Sequence, residues 1–247
     1  MKEDRFSKQA AAYSQFRPEY PKELFQFLLQ HVPNTKLCWD CATGNGQAAR
    51  ALAHHFDQVI ATDLSAAQIS HATDDPKIVY RIVSAEDVHF ESQSLDLVTV
   101  AQALHWFNLE IFYANVKRFL KPNGLIAAWG YDFFKISPEM DEILDPYGRE
   151  FLKNYWSERN WLLIGGYKGI PFPFSQIETP DFYLKVEWDF FQLKGYLDSW
   201  SATQKYKDKN GFDPFDAIAD KLELRRGEKH QKKSISWKLI TLMGSNV

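Results

Sequence analysis

A chain of 247 residues with 45% apolar side chains can build one α/β domain with an elaboration, or one domain and a small second one. Its net charge of -3 gives no electrostatic case for nucleic acid or an anionic membrane, and no stretch approaches the roughly 20 apolar residues of a membrane span. Residues 1–15 are polar and lack the apolar stretch of a signal peptide, so a cytoplasmic location is expected.

Pro21 suits a first helical turn, and Leu24, Phe25, Leu28 and Val32 form a helical stripe behind it. Strands and helices then alternate. Strands are predicted at 36–40, 58–62, 77–83, 95–100 and 125–129, and helices at 47–56, from about Ser65, and at 109–120. The run 95–100 is almost continuously apolar, as in a strand buried on both faces. Lys121-Pro122-Asn123-Gly124 stops the helix before it. This alternation predicts a doubly wound parallel sheet. Residues 131–180 are aromatic and carry five prolines, which reads as a helical and loop insertion over one end of the sheet. Residues 182–188 and 234–243 alternate apolar and polar as two late strands, with a helix at about 191–206 between them. The basic cluster of Arg225, Arg226, Lys229, Lys232 and Lys233, interrupted by Glu223 and Glu228, reads as a solvated surface.

The chemical signal begins at Asp40-Cys41-Ala42-Thr43-Gly44-Asn45-Gly46-Gln47. Its glycines permit a tight turn and close backbone approach to a ligand, at the start of a helix. Asp63 follows Gly44 by 19 residues, at the end of the second strand, where an acid can accept both hydroxyls of a ribose. Gly44-Asn45-Gly46-Gln47-Ala48-Ala49 also fits the dinucleotide pattern G-x-G-x-x-A. Asp40 weighs against that fit, because a pyrophosphate on the loop would face a like charge. A carboxylate there suits the ammonium and sulfonium of S-adenosylmethionine (SAM), although it can equally be a helix-capping acid. Cys38 and Cys41 are spaced C-x-x-C, open to a redox pair or half a metal site, but no second cysteine pair exists and buried bystander thiols are the simpler expectation.

The motifs resemble those of class I SAM-dependent methyltransferases. Asp40-x-Ala42-Thr43-Gly44-Asn45-Gly46 is similar to the first motif, with Ala42 where the first glycine usually stands. Val59 to Ser65, Ser84-Ala85-Glu86-Asp87, Asp96 to Phe107 and Arg118 to Gly124 resemble the later ones. Ala101-Gln102-Ala103-Leu104-His105-Trp106-Phe107, Ala12 to Pro21, Ser199 to Tyr206 and Gly211 to Pro214 are similar to a branch of the methyltransferase type 11 group that includes trans-aconitate methyltransferase.

The resemblance implies a Rossmann-like α/β fold: a mostly parallel seven-stranded sheet with helices on both faces and the aromatic insertion after the fifth strand. One domain would comprise an N-terminal segment over the donor (1–32), a SAM-binding core (33–130), a cap (131–180) and a C-terminal part completing the sheet (181–247). It also implies roles. Asp63 holds the ribose, Leu64 packs on the adenine, and Ala85 and Glu86 face its edge. Asp40, Ala42, Thr43, Gly44, Gly46 and Gln47 cradle the methionine part. Tyr13, Arg17 and Tyr20 fold over the donor, and Gln102 lies beneath the methyl group. S-adenosylhomocysteine would be the product, with no metal.

His105 is either a base or a structural histidine beside Trp106. The acceptor is expected to be a small organic molecule rather than a nucleic acid or membrane lipid. A carboxylate oxygen, which needs no base, is favoured; His105 and Gln102 would orient it, and Arg149, Arg159 or Lys168 would neutralise a second negative charge. A monomer or homodimer is expected. An NAD-dependent oxidoreductase on the same loop and a non-catalytic SAM-binding protein are the alternatives.

Overall fold

The computed structural model describes residues 18–247. After helix α1 (Lys22–His31) come β1 (Leu37–Cys41), α2 (Gln47–Ala53), β2 (Gln58–Asp63), α3 (Ala66–Ile69), β3 (Ile78–Ile82), β4 (Leu95–Ala101), α4 (Leu109–Phe119) and β5 (Leu120–Gly130). Ser65 caps α3 by accepting from the Gln68 N–H, as its position before the helix predicts. Strands β1 to β5 pair in the order β3-β2-β1-β4-β5, all parallel. The alternation of side chains along β1 sends Cys38 and Trp39 to opposite faces. Cys38 joins a core with α1 and α2, and Trp39 and Cys41 join a second core with Phe112, Val116 and Phe119 of α4. The two cysteines therefore sit on opposite faces, both fully buried, and burial pushes both thiols well above their ordinary range. A redox pair or shared metal is ruled out by that geometry.

Beyond β5 the fold departs from the expected strand assignments. The insertion supplies α5 (Pro138–Pro146), a π-helical turn (Tyr147–Phe151), α6 (Glu158–Ile164) and the two-residue strand β6 (Ser175–Gln176). Then follow β7 (Tyr183–Trp188), α7 (Phe190–Asp198), α8 (Ser201–Asn210), α9 (Ala219–Arg226), β8 (Lys233–Lys238) and β9 (Ile240–Ser245). The stretch expected as one late strand is two. β9 lies antiparallel to β5, β6 pairs with its far edge, and the seven-stranded order is β3-β2-β1-β4-β5-β9-β6. β7 and β8 form a separate two-stranded sheet instead of completing the main one. The helix expected at 191–206 is likewise broken in two, with Trp200 at the turn.

The small sheet and α7 pack through aromatic rings. Trp237 lies 5.2 Å from Tyr196 and 5.4 Å from Phe134, and its Nε1–H donates to the Tyr196 hydroxyl. Arg226, expected on a solvated surface, is 1% exposed and donates to the carbonyls of Trp188 and Gln231. Among the described residues no helix is long and apolar enough to cross a membrane.

Asp96 fastens the foot of the sheet. It is fully buried at the start of β4, accepts from the backbone N–H groups of Lys36 and Leu37, and pairs with Lys121 at 2.7 Å. Asp96→Ala leaves those donors unmet and should cost about 2–4 kcal/mol, read as a lower urea midpoint. Asp96→Asn, which keeps an acceptor, should cost less.

Candidate active site

Parallel sheets place ligand sites beyond the carboxyl ends of strands, where the chain order reverses. Here that point lies between β1 and β4, and both the glycine loop and Gln102 emerge there. Asp40 anchors the loop. Its carboxylate is fully buried and accepts from the hydroxyls of Thr43 at 2.5 Å and Thr99 at 2.7 Å, and from the Ala49 N–H in the first turn of α2. Burial raises its pKa to about 6 despite those bonds. The acid expected beside the donor's cation thus supports the loop from beneath and fills the anion position at the helix N-terminus itself.

Three backbone donors of the loop are also engaged. Thr43 N–H donates to Thr62 O, Gly44 N–H to Asp63 Oδ2, and Gly46 N–H to Thr43 O. A pyrophosphate on the loop would find those three donors taken and would lie above the Asp40 carboxylate, which favours a phosphate-free ligand. Gly44 and Gly46 take positive φ, and a Cβ on Gly46 would meet the Tyr80 hydroxyl at 2.4 Å. Ala42 is left-handed too, at φ 55°, where the related motif has a glycine.

Around this loop the expected residues divide. Asp63 also accepts from Ser65 N–H at 2.8 Å, which orients its half-buried carboxylate at the loop's rim. Leu64 is 41% exposed, an apolar side chain open to a planar partner. Ala85 is buried; Glu86 accepts from Asn108 N–H, which fastens the loop after β3 to the start of α4. Gln47 reaches back to Pro18 O at 2.9 Å and ties that residue to the first turn of α2. Tyr20 packs edge-on against Trp129 at 5.4 Å. Tyr13 and Arg17 lie outside the described residues.

Gln68 was not foreseen. It is 5% exposed, its Oε1 has no hydrogen-bond partner among the described residues, and that atom lies 3.8 Å from where a Gly44 Cβ would stand. A buried amide oxygen without a donor beside a glycine loop fits a ligand hydroxyl or ammonium. The sequence signal was its place in the turn after Asp63-Leu64-Ser65.

A cavity of about 110 Å³ opens past β4 and β5. It is walled by Trp106, Tyr131, Phe133, Trp156 and Trp200, with Gln102, His105, Asp132 and Asn160 as polar groups. An apolar cavity of about 150 Å³ holds benzene, so a group the size of one ring suits the space. Gln102, expected to orient the acceptor, is a strut. At φ 58° its backbone N–H donates to Trp129 O, and its amide exchanges two bonds of 3.2 Å with the backbone of Tyr131. His105 is 4% exposed, lies 3.1 Å through Nδ1 from the Tyr167 hydroxyl, and packs on Trp106. Burial, aided by Arg159, lowers its pKa to about 4, which makes it a weak base.

The basic residues expected to neutralise a second acceptor charge are placed otherwise. Arg149 pairs with Asp132 at 3.0 Å, Arg159 donates to Trp106 O, and Lys168 is exposed. None of the three lines the cavity.

Residues 39–128 match the family model of the methyltransferase domain. A candidate methyltransferase of Dictyostelium discoideum is 33% identical over 204 residues, 81% of this chain and 78% of that protein. A candidate SAM-dependent methyltransferase of Saccharomyces cerevisiae is 29% identical over 65% of this chain and 60% of its own length. A solved structure of a candidate type II methyltransferase from Anaeromyxobacter dehalogenans superposes with a TM-score of 0.88 at 33% identity, covering 94% of this chain and 99% of that one.

The two shifted groups give stability opposite pH trends. Asp40, raised from 3.8 to about 6, contributes stability that is present below its unfolded pKa and lost as pH rises through 6. His105, lowered from 6.5 to about 4, contributes stability that is present above its unfolded pKa and lost as pH falls through 4. Each amounts to about 3 kcal/mol. Between pH 7 and pH 4, His105→Gln should therefore gain up to about 3 kcal/mol relative to wild type, and Asp40→Asn should lose as much, in urea unfolding at the two pH values.

Proposed function

The chain belongs to the SAM-dependent methyltransferases, and on that premise we propose that it methylates a small organic acid on a carboxylate oxygen. The observation that carries this is the cavity past β4 and β5, aromatic in its walls and with a weakly basic His105 as its one histidine. His105 is weakly basic and engaged with Tyr167, and Asp132 is tied to Arg149. A phenol or an ammonium would have to lose a proton, whereas a carboxylate is already a nucleophile. The absence of basic side chains from the cavity wall favours one carboxylate on an apolar body over a diacid.

The fit to the donor rests on the unpartnered oxygen of Gln68 and the left-handed glycines. In this reading Asp63 and Gln68 hold the ribose side, Leu64 covers the adenine, and the backbone of residues 42–46 admits the methionine part. SAM supplies a methyl group already activated by its sulfonium, so the protein's task is alignment and exclusion of water. Gln102 holds the end of β4 against β5, so the acceptor cavity keeps a fixed position beside the loop. Trp106, Trp156 and Trp200 seat the acceptor's body and keep water out.

Three measurements check this. Calorimetry should show binding of SAM or its demethylated product and not of NAD. Asp63→Ala should weaken that binding by about 1.5–3 kcal/mol, and Gln68→Leu by about 1 kcal/mol. Incubation with labelled SAM and a panel of acids, phenols and amines should give a product that releases labelled methanol in alkali. Alkali-stable label would refute the ester. Trp156→Ala should raise the acceptor KM about tenfold or more, with donor affinity unchanged.

A further inference from the structure

We propose that Tyr167 fixes His105 in the tautomer with its proton on Nε2, so that the acceptor cavity meets a hydrogen-bond donor at His105 and not a base. The inference rests on the acceptor site proposed above.

Its foundation is an inventory of hydrogen bonds. Tyr167 is 2% exposed, and its hydroxyl has one partner among the described residues, Nδ1 of His105 at 3.1 Å. A phenol has one proton to give, and the imidazole nitrogen can either receive it or offer its own. If Nδ1 carried the proton it would donate to the phenol oxygen, and the phenol's own proton would be buried without an acceptor. Buried donors are rarely left so, because the desolvation is uncompensated. The arrangement that satisfies both groups has Tyr167 donating to a bare Nδ1. The ring's proton then resides on Nε2, the nitrogen left for the cavity that His105 lines.

Neither partner ionises at neutral pH to disturb this. Burial holds the phenol well above its ordinary range, and His105 is held neutral by burial and by the Arg159 guanidinium. The backbone also favours a fixed pair. Tyr167 is left-handed at φ 58°, uncommon for an aromatic residue, and its N–H donates to Leu162 O at 2.9 Å past the end of α6. Gly130 leaves the space its ring uses: a Cβ there would stand 3.2 Å from the phenol oxygen and 2.6 Å from Leu163 Cδ1.

A donor at Nε2 selects an acceptor with an oxygen lone pair. In a carboxylate one oxygen accepts from Nε2–H while the other attacks. The attacking oxygen's electron pair becomes the new bond to the methyl carbon, and the sulfur keeps the pair of the bond that breaks. No proton moves, so His105 finishes as it began. Tyr167 is a positioning residue in this scheme.

The test is long-range proton–nitrogen NMR on the full chain labelled with nitrogen-15 histidine, at neutral pH. The His105 signals are assigned by their loss in His105→Gln. The expected result is a pyridine-like Nδ1 and a pyrrole-like Nε2 in wild type, with mixed tautomers in a Tyr167→Phe protein whose melting curve remains cooperative. A pyrrole-like Nδ1, an imidazolium, or an unchanged His105 spectrum in Tyr167→Phe would overturn the inference. The spectrum does not depend on turnover. A fixed Nε2–H tautomer in a protein that binds no SAM would leave this pair standing and sink the methyltransferase site instead.

Discussion

The site depends on one buried carboxylate. Asp40 stands near the end of β1 and accepts from three elements at once: the loop through Thr43, the neighbouring β4 through Thr99, and α2 through Ala49. Charge-assisted bonds to a fully buried acid are strong, and leaving any of the three donors unmet is costly, so loop, strand and helix are held in one arrangement. The acid costs stability at neutral pH, as its raised pKa records, and gains a rigid loop in return. With the Thr43, Gly44 and Gly46 N–H groups engaged by Thr62, Asp63 and the loop itself, the surface above is shaped by glycines and an exposed, apolar Leu64. The same constraint therefore builds the loop and narrows what it can bind.

The second site is built by different means. The cavity forms where the insertion and the α7–α8 turn meet the ends of β4 and β5, and its walls are rings that also form the core. Phe133 lies 5.5 Å from Trp200 and 6.0 Å from Trp156, and Trp200 lies 5.4 Å from Trp156. Rings in mutual contact lock one another's rotamers, so the pocket's shape belongs to the fold rather than to a mobile side chain. The polar groups are committed in the same way: Gln102 to Tyr131, Asp132 to Arg149, and His105 to Tyr167. Such a pocket selects its guest by shape and by the few atoms left unpaired.

The first half of the fold was legible because each strand there is a short apolar run and each helix announces its start, as at Ser65 and Asn108. The second half was less so for a definable reason. Alternation at 182–188 identifies a half-buried strand but cannot say which sheet it joins, and β7 took β8 as its partner. Ser175–Gln176 is exposed on both residues and held only by its pairing to β9, so nothing in its composition marks a strand. Arg226 reads as surface by charge, yet its stem and guanidinium are enclosed. At the site, residue types put Asp40, Asp63 and Gln102 at strand ends, where the structure has them. Their hydrogen-bond partners decided what each could do, and those partners lie between 2 and 59 residues away in sequence.

Five described residues other than glycine take left-handed φ; Gln93 and Asn123 lie by the starts of β4 and β5, and Ala42, Gln102 and Tyr167 lie by the loop and the cavity. Such a conformation persists only where surrounding contacts over-determine it. Ala42 turns the chain out of β1 into the glycine loop, and Gln102 turns it out of β4 into the His105 loop. Tyr167 brings its phenol to His105. Gly130 completes the set from the opposite direction, since a side chain there would strike Gln102, Leu163 and Tyr167 together. The glycine loop and the cavity are thus joined through the ends of the paired strands β1, β4 and β5. On the proposed reading, a change that relaxes one of these turns would alter the separation of donor and acceptor, and with it the in-line geometry that methyl transfer needs.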